Sequence, residues 1–148
     1  MKNKVEISAG GIVYKRLKSG VVWLIGQHSK HKGWIFPRGL IGDNVERETM
    51  EKAALREVEE EGGVKAKIVD DKKTIKIEYL YRLKGTLVIK TVYYYLMEYT
   101  SGDPKNHDWE MSDAKFVDTN EVRETLSYKS DKQAFEKAVR LLGAADRI

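Results

Sequence analysis

Apolar and polar positions alternate over the first third of the chain, which is the pattern of β-strands. β-branched and aromatic residues over Val5–Tyr14 and Val21–Gln27 predict two strands, and Lys18-Ser19-Gly20 predicts a hairpin turn between them. A short apolar stretch, Trp34-Ile35-Phe36, follows and is closed by Pro37-Arg38-Gly39. We therefore expect this part of the chain to be mostly sheet.

A pattern typical of a helix replaces this alternation from about Glu46 to Glu61. The segment contains neither Gly nor Pro and consists mainly of Glu, Ala, Leu, Arg and Lys, which are strong helix formers. Turn-forming residues at Gly42-Asp43-Asn44 precede it, and Gly62-Gly63 is expected to end it. One long helix is therefore predicted in the first half of the chain.

The faces of this helix differ in chemistry. At about 100° per residue, its buried stripe consists of Ala54, Leu55 and Val58. The neighbouring arc carries the glutamates Glu57, Glu60 and Glu61. Glu59 and Lys52 point to solvent. The helix is thus expected to gather three carboxylates at the rim of its buried face.

Strands are predicted again after the helix, and two shorter helices follow them. The strands are Lys65–Val69, Thr74–Leu83, Thr86–Glu98 and Ala114–Val117, with a hairpin turn near Lys84-Gly85 and a polar loop over residues 100–112. Thr119 is expected to cap a short helix, and Ser130 or Asp131 a final one. Without an internal repeat or a low-complexity linker, the pattern predicts one α/β domain over residues 1–148.

Composition narrows the class of protein. The chain has 148 residues, 41% of them hydrophobic and 34% charged, which suits a small enzyme with a solvated surface. No apolar run approaches the roughly 18 residues that span a bilayer, and the sequence MKNKVEISAGG lacks the apolar stretch of a secretory signal. Without cysteine there is no disulfide, thiol nucleophile or thiolate zinc site. We expect a cytoplasmic protein with no membrane partner.

Charge is unevenly distributed along the chain. The formal net charge is +4, but residues 46–61 hold seven glutamates against three cations, so this segment is −4 and the remainder +8. An acidic site in a basic protein is typical of a cation held by carboxylates beside a bound polyanion. The alternative is a solvated acidic helix on a lysine-rich surface, and charge alone does not separate the two.

The clustered carboxylates of the helix predict a metal site. Like charges this close resist ionising together unless a cation compensates. Oxygen ligands grouped in this way suit Mg²⁺ or Mn²⁺, which retain waters and also bind substrate phosphates. Arg56 is expected to pair with one carboxylate and fix its rotamer. The alternative is an acidic face with ordinary i,i+4 pairing.

A longer motif contains these glutamates. The residues Gly42-x5-Glu48-x7-Arg56-Glu57-Val58-x-Glu60-Glu61-x-Gly63-Val64 match every fixed position of the Nudix box, G-x5-E-x7-R-E-U-x-E-E-x-G-U, with U aliphatic. A Ser-Ala-Gly-Gly strand and the segment from Trp34 to Gly39 precede the box, and a β-hairpin and a terminal helix follow it. The chain therefore resembles the Nudix hydrolase family over essentially its whole length.

The resemblance implies both a fold and an activity. The fold is an α/β/α sandwich with a mixed sheet, and the activity is cleavage of a nucleoside diphosphate linked to a further group. Glu57, Glu60 and Glu61 would be metal ligands and possible bases, with Arg56 and Glu48 orienting them. Water would attack a phosphorus made electrophilic by Mg²⁺ or Mn²⁺.

One departure from the family concerns the loop before the box. Family members usually place the Pro-x-Gly of the lead-in directly at the start of the box, whereas here Gly39 ends that motif and Gly42 begins the box. The backbone carbonyl expected on the metal would come from Arg38 or Gly39, or else from Ile41 or Gly42. We favour the first pair, with Gly39 as the metal ligand, because Pro37-Arg38-Gly39 closes a strand.

Segments outside the box are similar to the diadenosine tetraphosphate hydrolase branch of the family. They are the lead-in Trp34-Ile35-Phe36-Pro37-Arg38-Gly39 and the tail with Glu110-Met111-Ser112-Asp113-Ala114 and Leu126-Ser127-Tyr128. By this resemblance Glu110 is a further metal ligand or base, although it also fits an exposed loop position. Arg38 and Lys30 are candidate phosphate-binding residues, and Tyr94 is a candidate for stacking on a nucleobase. His31 is expected to face solvent.

The expected substrate is accordingly a dinucleoside polyphosphate. Alternatives within enzymes are a diphosphoinositol polyphosphate, a 5′-triphosphate RNA end and a nucleoside diphosphate sugar. A different class is a non-catalytic nucleotide sensor, although a sensor has no need of clustered glutamates. The pI near 9.1 is compatible with RNA, but the sequence has no basic stripe with interleaved aromatics, so no stable nucleic-acid partner is expected. A monomer or a homodimer is expected.

Overall fold

The structure is a computed structural model, and it describes residues 3–42 and 47–145. This part of the chain forms eight strands and three α-helices. The strands are β1 Asn3–Leu17, β2 Gly20–His28, β3 Trp34–Ile35, β4 Arg38–Leu40, β5 Val64–Ile68, β6 Ile75–Leu83, β7 Thr86–Gly102 and β8 Met111–Asp118. The helices are α1 Met50–Gly62, α2 Thr119–Thr125 and α3 Lys129–Ala145, with a short 3-10 helix at Pro104–Asn106.

All eight strands belong to one mixed sheet. Its main path is β3-β2-β1-β7-β5, in which β1 and β7 run parallel and the other neighbours are antiparallel. The strands β4, β6 and β8 pair with β1, β7 and β2, respectively. Because β4 pairs with β1 at Ser8–Gly10, the segment that precedes α1 is attached to the centre of the sheet.

Helices cover both faces of this sheet. Successive residues of a strand point to opposite faces, and Tyr94 and Tyr95 of β7 accordingly join two different hydrophobic clusters. The cluster around Tyr94 includes Phe135 of α3, whereas the cluster around Tyr95 includes Val58 of α1. The fold is therefore the α/β/α sandwich with a mixed sheet that the sequence predicts. Among the described residues, no helix has the length and apolarity needed to cross a bilayer.

Helix α1 begins later than the sequence predicts. Thr49 caps it by accepting a hydrogen bond from the Lys52 N–H at 3.2 Å, so the first helical residue is Met50, and the predicted start at Glu46 lies outside the described residues. The end agrees with the prediction, because Gly63 has φ 74° and its N–H donates to the Glu59 carbonyl. Glu48 consequently lies before the helix.

The other helix starts also differ from the predictions. Asp118, not Thr119, caps α2, since its side chain accepts a hydrogen bond from the Glu121 N–H at 2.8 Å. Helix α3 begins at Lys129, so neither Ser130 nor Asp131 is its cap. Asp131 is instead fully buried in the first turn, where it pairs with residues from two strands.

The last two strands, β7 and β8, are longer than expected, whereas β5 and β6 agree with the predictions to within one residue at each end. β7 continues to Gly102 because β5 pairs with its last residues, and β8 begins at Met111 because that residue pairs with His28 of β2. The predicted loop over residues 100–112 therefore shrinks from both ends. The hairpin turn at Lys84-Gly85 is confirmed, with positive φ values of 51° and 81° that suit a tight two-residue connection.

Candidate active site

Two carboxylates of α1 are buried where the helix meets β4. Glu57 and Glu61 are each only 4% exposed, and they line a cavity of about 250 Å³ together with Gly39 and Glu110. Gly39 allows this close approach, because a Cβ atom at that position would lie 2.2 Å from the Glu57 carboxyl group. The absence of a side chain at Gly39 is therefore part of how the site is built.

Glu61 is held by the backbone of β4. The Arg38 N–H donates to Glu61 Oε1 at 3.0 Å. Burial raises the pKa of Glu61 to about 8, an effect that the Arg38 N–H opposes and that nearby Glu57 and Glu110 reinforce. The ionised form of this carboxylate thus lacks sufficient compensation from the protein.

Glu57, like Glu61, has a raised pKa, but its hydrogen-bond partner is a charged side chain. Arg56 Nη1 lies 2.8 Å from Glu57 Oε1. Burial nevertheless raises the pKa of Glu57 to about 7, because it outweighs the lowering effect of Arg56, and Glu60 and Glu110 add repulsion. Two neighbouring carboxylates of α1 therefore both favour additional positive charge nearby.

Arg56 links the carboxylates to the segment before the helix. Its Nε and Nη2 contact the two oxygens of Glu48 at 2.6 and 2.9 Å, and Nη1 also lies 3.0 Å from Glu60 Oε2. The hydrogen bonds from Arg56 lower the pKa of Glu48, which also accepts the Gly42 N–H at 3.2 Å. This bidentate geometry is the one in which an arginine orients carboxylates most rigidly.

The remaining glutamates of α1 follow the helical wheel. Glu59 is exposed, as is Lys52, in agreement with the prediction. Glu60 is more exposed than Glu57 and Glu61, with 36% of its side chain accessible, so it lies at the outer rim. The predicted convergence is therefore strongest for Glu57 and Glu61.

A larger pocket of about 710 Å³ adjoins the carboxylate cavity. It is lined by His31, Arg38, Tyr79, Tyr81, Lys90, Tyr128, Lys129 and Ser130. Four of these residues, His31, Arg38, Tyr79 and Lys90, line both spaces. The two cavities thus meet at a boundary that carries cations and aromatic rings.

Arg38 lies on this boundary, but its guanidinium is largely committed to partners inside the protein. Nη1 contacts both carboxylate oxygens of Asp131, at 2.9 and 3.0 Å, and donates to the Tyr94 hydroxyl. Its side chain is 12% exposed. Arg38 is therefore part of a buried ion pair as well as part of the pocket wall.

Lys90 is the less obvious cation of this boundary. Its side chain is 18% exposed, and Nζ lies 4.0 Å from Glu6 Oε1, which in turn accepts the Tyr81 hydroxyl hydrogen bond at 2.7 Å. Burial lowers the pKa of Lys90. This partly buried ammonium group lines both cavities, so an anionic ligand bound there would offset the cost of its burial.

Two histidines stack beside the same boundary. The rings of His28 and His31 are 4.2 Å apart at an angle of 8°, and each Nδ1 accepts a backbone N–H, from Lys30 and Gly33 respectively. Tyr128 lies within hydrogen-bond distance of His31 Nδ1, at 3.1 Å. His31 is thus exposed as a residue, as predicted, while its ring also forms part of the pocket wall.

Two residues that the sequence predicts to bind substrate do not line the carboxylate cavity or the larger pocket. Tyr94 is fully buried and its hydroxyl donates to Asp131 at 2.9 Å, so the prediction that it stacks on a nucleobase is wrong. Lys30 is exposed and lines neither of the two cavities. Tyr79 and Tyr81 line the larger pocket instead, and their i,i+2 spacing on β6 is the sequence signal that places both side chains on one face of the strand.

The donor set at the carboxylate cavity fits a divalent cation. Within residues 3–42 and 47–145, no three acidic or histidine side chains form a closed ligand cluster, since the glutamates are turned towards Arg56 and the Arg38 N–H. Their chemistry nevertheless suits Mg²⁺ or Mn²⁺: the carboxylates are hard oxygen donors, and burial leaves Glu57 and Glu61 without enough positive charge.

Comparison with known proteins assigns the family. Residues 5–138 match the model of the NUDIX domain. MutT4 of Mycobacterium tuberculosis (strain CDC 1551 / Oshkosh), named as a candidate mutator protein, is 30% identical over 148 residues, covering 96% of this chain and 58% of that protein. The chain therefore belongs to the NUDIX family, which confirms the family that the sequence predicts. The chain spans little more than half the length of this relative.

Solved structures agree on the fold. The Ap4A hydrolase of C. elegans in a binary complex has a TM-score of 0.70 and 22% identity, with 94% of this chain and 98% of that chain covered. The NUDIX domain of Shewanella oneidensis NrtR complexed with ADP ribose has a TM-score of 0.68 and 18% identity, with 96% and 90% covered. At these identities the similarity confirms the α/β/α architecture alone.

Proposed function

We propose that this chain is a Mg²⁺- or Mn²⁺-dependent pyrophosphohydrolase that acts on dinucleoside polyphosphates such as diadenosine tetraphosphate. The observation that carries the proposal is the union of two spaces: buried carboxylates with raised pKa values on one side, and a pocket with aromatic rings and cations on the other. The similarity in fold to the C. elegans Ap4A hydrolase supports the same substrate class.

The carboxylates would hold the metal ion. We assign Glu57 and Glu61 as its principal ligands, with Glu60, Glu110 and the Gly39 carbonyl completing the set. A cation held there would supply positive charge that polarises a phosphoryl oxygen and offsets charge on the leaving phosphate. Glu48 and Arg56 act as orienting partners, because Arg56 contacts Glu57 and Glu60 while Glu48 fixes the guanidinium.

The reaction is hydrolysis of one phosphoanhydride bond. Water adds to phosphorus, the bridging P–O bond breaks, and the leaving oxygen departs as a phosphate. One of the buried carboxylates, Glu57 or Glu61, or else Glu110, accepts the proton of the attacking water.

The larger pocket would bind a nucleoside and its polyphosphate. Tyr79, Tyr81 and Tyr128 offer aromatic faces to a base. Lys90, at the boundary of both cavities, would contact the phosphate chain, as would the remaining N–H groups of Arg38. Asymmetric cleavage, with a nucleoside triphosphate as one product, is expected when one base is fixed in this pocket.

A second candidate is a nucleoside diphosphate sugar, because the NrtR NUDIX domain of similar fold binds ADP ribose. The same tyrosines would hold its base, and the same cations its diphosphate. Diphosphoinositol polyphosphates and 5′-triphosphate RNA ends remain further alternatives within enzymes, and a nucleotide sensor remains the alternative outside them. Four further properties stay predictions: the cytoplasmic location, the single-domain organisation, the lack of a stable nucleic-acid partner, and the monomeric or dimeric state.

A substrate panel tests the proposal. Dinucleoside polyphosphates, nucleoside triphosphates, ADP ribose, capped RNA and diphosphoinositols are assayed with Mg²⁺, and the products are separated by chromatography. We expect the highest kcat/KM for a dinucleoside polyphosphate, and turnover of inositol pyrophosphates alone would refute this substrate. Glu61→Gln is expected to lose most of kcat while remaining folded. Glu59→Gln, an exposed glutamate of the same helix, is the matched control and is expected to retain it.

A further inference from the structure

A buried carboxylate of α3 belongs to neither cavity's ligand set. Asp131 is 0% exposed, and a charge removed from water in this way requires partners inside the protein. Its partners are Arg38 Nη1, at 2.9 and 3.0 Å from its two oxygens, and the Tyr94 hydroxyl at 2.9 Å. Arg38 and Asp131 are 93 positions apart in the chain, so this pair connects β4 to α3.

Arg38 has a second anchor on the opposite face of the sheet. Its side chain reaches Asp131 of α3, whereas its main-chain N–H donates to Glu61 Oε1 of α1 at 3.0 Å. The next residue, Gly39, lies against the Glu57 carboxyl group. One residue of β4 therefore joins the helix on one face to a buried carboxylate on the other.

The strand that carries Arg38 is short, and two backbone hydrogen bonds flank it, from the Gly11 N–H to the Pro37 carbonyl at 3.1 Å and from the Ile41 N–H to the Ile7 carbonyl at 3.2 Å. β4 contains three residues and pairs only with β1 among the described strands, through Ser8–Gly10. These backbone hydrogen bonds attach the main chain of β4 to β1, but they do not fix the side chain of Arg38. The bidentate contact of one Arg38 nitrogen with Asp131 adds a further constraint on where the Arg38 N–H points.

We propose that Asp131 is a positioning residue for the hydrolytic site, acting through the Arg38 side chain and the Arg38 N–H to orient the carboxylate of Glu61. Tyr94 supports it by donating its hydroxyl hydrogen to the same carboxylate. The kinetic part of this inference rests on the proposed hydrolase function, while the structural coupling between Asp131 and Glu61 does not.

The first test is kinetic. Asp131→Asn keeps the side-chain volume and removes the charge, and we expect kcat to fall about 10- to 100-fold, the loss typical of a displaced catalytic group. KM is expected to change less than kcat. Glu136→Gln is the matched control, because Glu136 also lies on α3 and pairs with an arginine, Arg123, but at an exposed site. It is expected to leave kcat unchanged.

A double-mutant cycle separates positioning from general damage. If Asp131 acts through Glu61, Asp131→Asn is expected to lower kcat by less than about threefold in a Glu61→Gln background, since the group it orients is already gone. Full additivity of the two losses would overturn the proposal. So would a folded Asp131→Asn protein with the kcat of the wild type.

The second test does not depend on activity. The Arg38 amide, observed by NMR in the metal-free protein, is expected to exchange with solvent at least about tenfold faster in Asp131→Asn than in the wild type or Glu136→Gln. Unchanged exchange would refute the coupling, whether or not any substrate is hydrolysed. Absence of hydrolysis in the wild type, with the amide responding as expected, would refute the proposed function alone. If Asp131→Asn does not fold, Tyr94→Phe takes its place, with a smaller effect in the same direction expected and no effect refuting the proposal.

Discussion

Gly39→Ala tests the carboxylate site with the smallest possible change. The added methyl group would lie 2.2 Å from the carboxyl carbon and Oε1 of Glu57. Ordinary van der Waals contact requires about 3.5 Å, so the carboxylate has to retreat by roughly 1 Å or more. The φ angle of Gly39 is not in the left-handed region, so alanine fits the backbone at this position.

The expected loss falls on function, with little effect on stability. The obstructing atoms are the far end of a flexible side chain, so Glu57 can rotate away while the packing of α1 on β4 is kept. A misplacement of about 1 Å in a catalytic group costs on the order of 100-fold in rate. We therefore expect kcat to fall about 100-fold and the midpoint of thermal unfolding to change little.

Three measurements decide this prediction. They are kcat on the best substrate of the panel, Mn²⁺ affinity by titration calorimetry, and thermal unfolding in the absence of metal. Gly143→Ala is the control, because a Cβ at Gly143 of α3 meets nothing within 4 Å and alanine favours a helix. Wild-type kcat and Mn²⁺ affinity in Gly39→Ala would show that the position of the Glu57 carboxylate is not important, and the site as we describe it would be wrong.

Three further predictions concern the surroundings of the site. Arg56→Lys keeps the charge but loses the bidentate contact with Glu48, so steady-state kinetics are expected to give about 10- to 100-fold lower activity. Lys90→Met is expected to raise KM about tenfold or more by removing a phosphate contact, whereas the exposed Lys76→Met is expected not to. Burial lowers the pKa values of His28 and His31, so their contribution to stability is present above the unfolded value of 6.5 and is lost as the pH falls below it. The unfolding temperature of a double His→Asn variant should therefore drop less between about pH 7.5 and pH 5.5 than that of the wild type, and an equal drop would contradict this reasoning.

Local patterns in the sequence were sufficient for most of the fold. The stop of α1 at Gly63 and the turn at Lys84-Gly85 are set by backbone conformations that glycine adopts readily, so residue type alone indicates them. The predicted start of α1 is too early, because the glutamate-rich composition extends beyond the helix cap towards the N-terminus. Thr49 was the available signal, since threonine is among the preferred cap residues.

The strand lengths needed information that local patterns do not contain. β7 extends to Gly102 because β5 pairs with it, and β4 exists as a strand because β1 offers free hydrogen-bonding groups beside Arg38 and Gly39. Polar residues such as Thr100 and Ser101 are typical of a loop when they are considered alone. Pairing across the sheet, which is a tertiary property, determined their conformation.

In the candidate site, too, local patterns predict some features, whereas others depend on contacts between residues that are distant in sequence. The spacing of the glutamates on one helix is local, so the helical wheel was sufficient to predict that Ala54 and Val58 are buried and that Glu59 is exposed. It did not predict the buried Ala53, and Leu55, expected in the buried stripe, is only partly buried.

The partners of Arg38 are distant in sequence, and the alternation of faces on β7 did not reveal which face contains a buried acid. The prediction that Tyr94 contacts the ligand is therefore wrong, because its hydroxyl belongs to the Asp131 cluster. Lys90 lines both cavities, and no local pattern in the sequence indicates this.

The buried acidic residues of this protein are of two kinds: one has its charge compensated inside the protein, and the others do not. Asp131 has its charge matched inside the protein by Arg38 and a tyrosine hydroxyl, so its burial requires no ligand. Glu57 and Glu61 are also buried, but their raised pKa values mean that their ionised forms are under-compensated and cost folding free energy at neutral pH. If these two groups served stability alone, apolar residues in their place would give a higher free energy of unfolding. A bound cation that offsets this cost would explain why both carboxylates are present. The compensation is measured directly as the rise in unfolding temperature that Mg²⁺ causes in the wild type, and we expect Mg²⁺ to cause no such rise in Glu61→Gln.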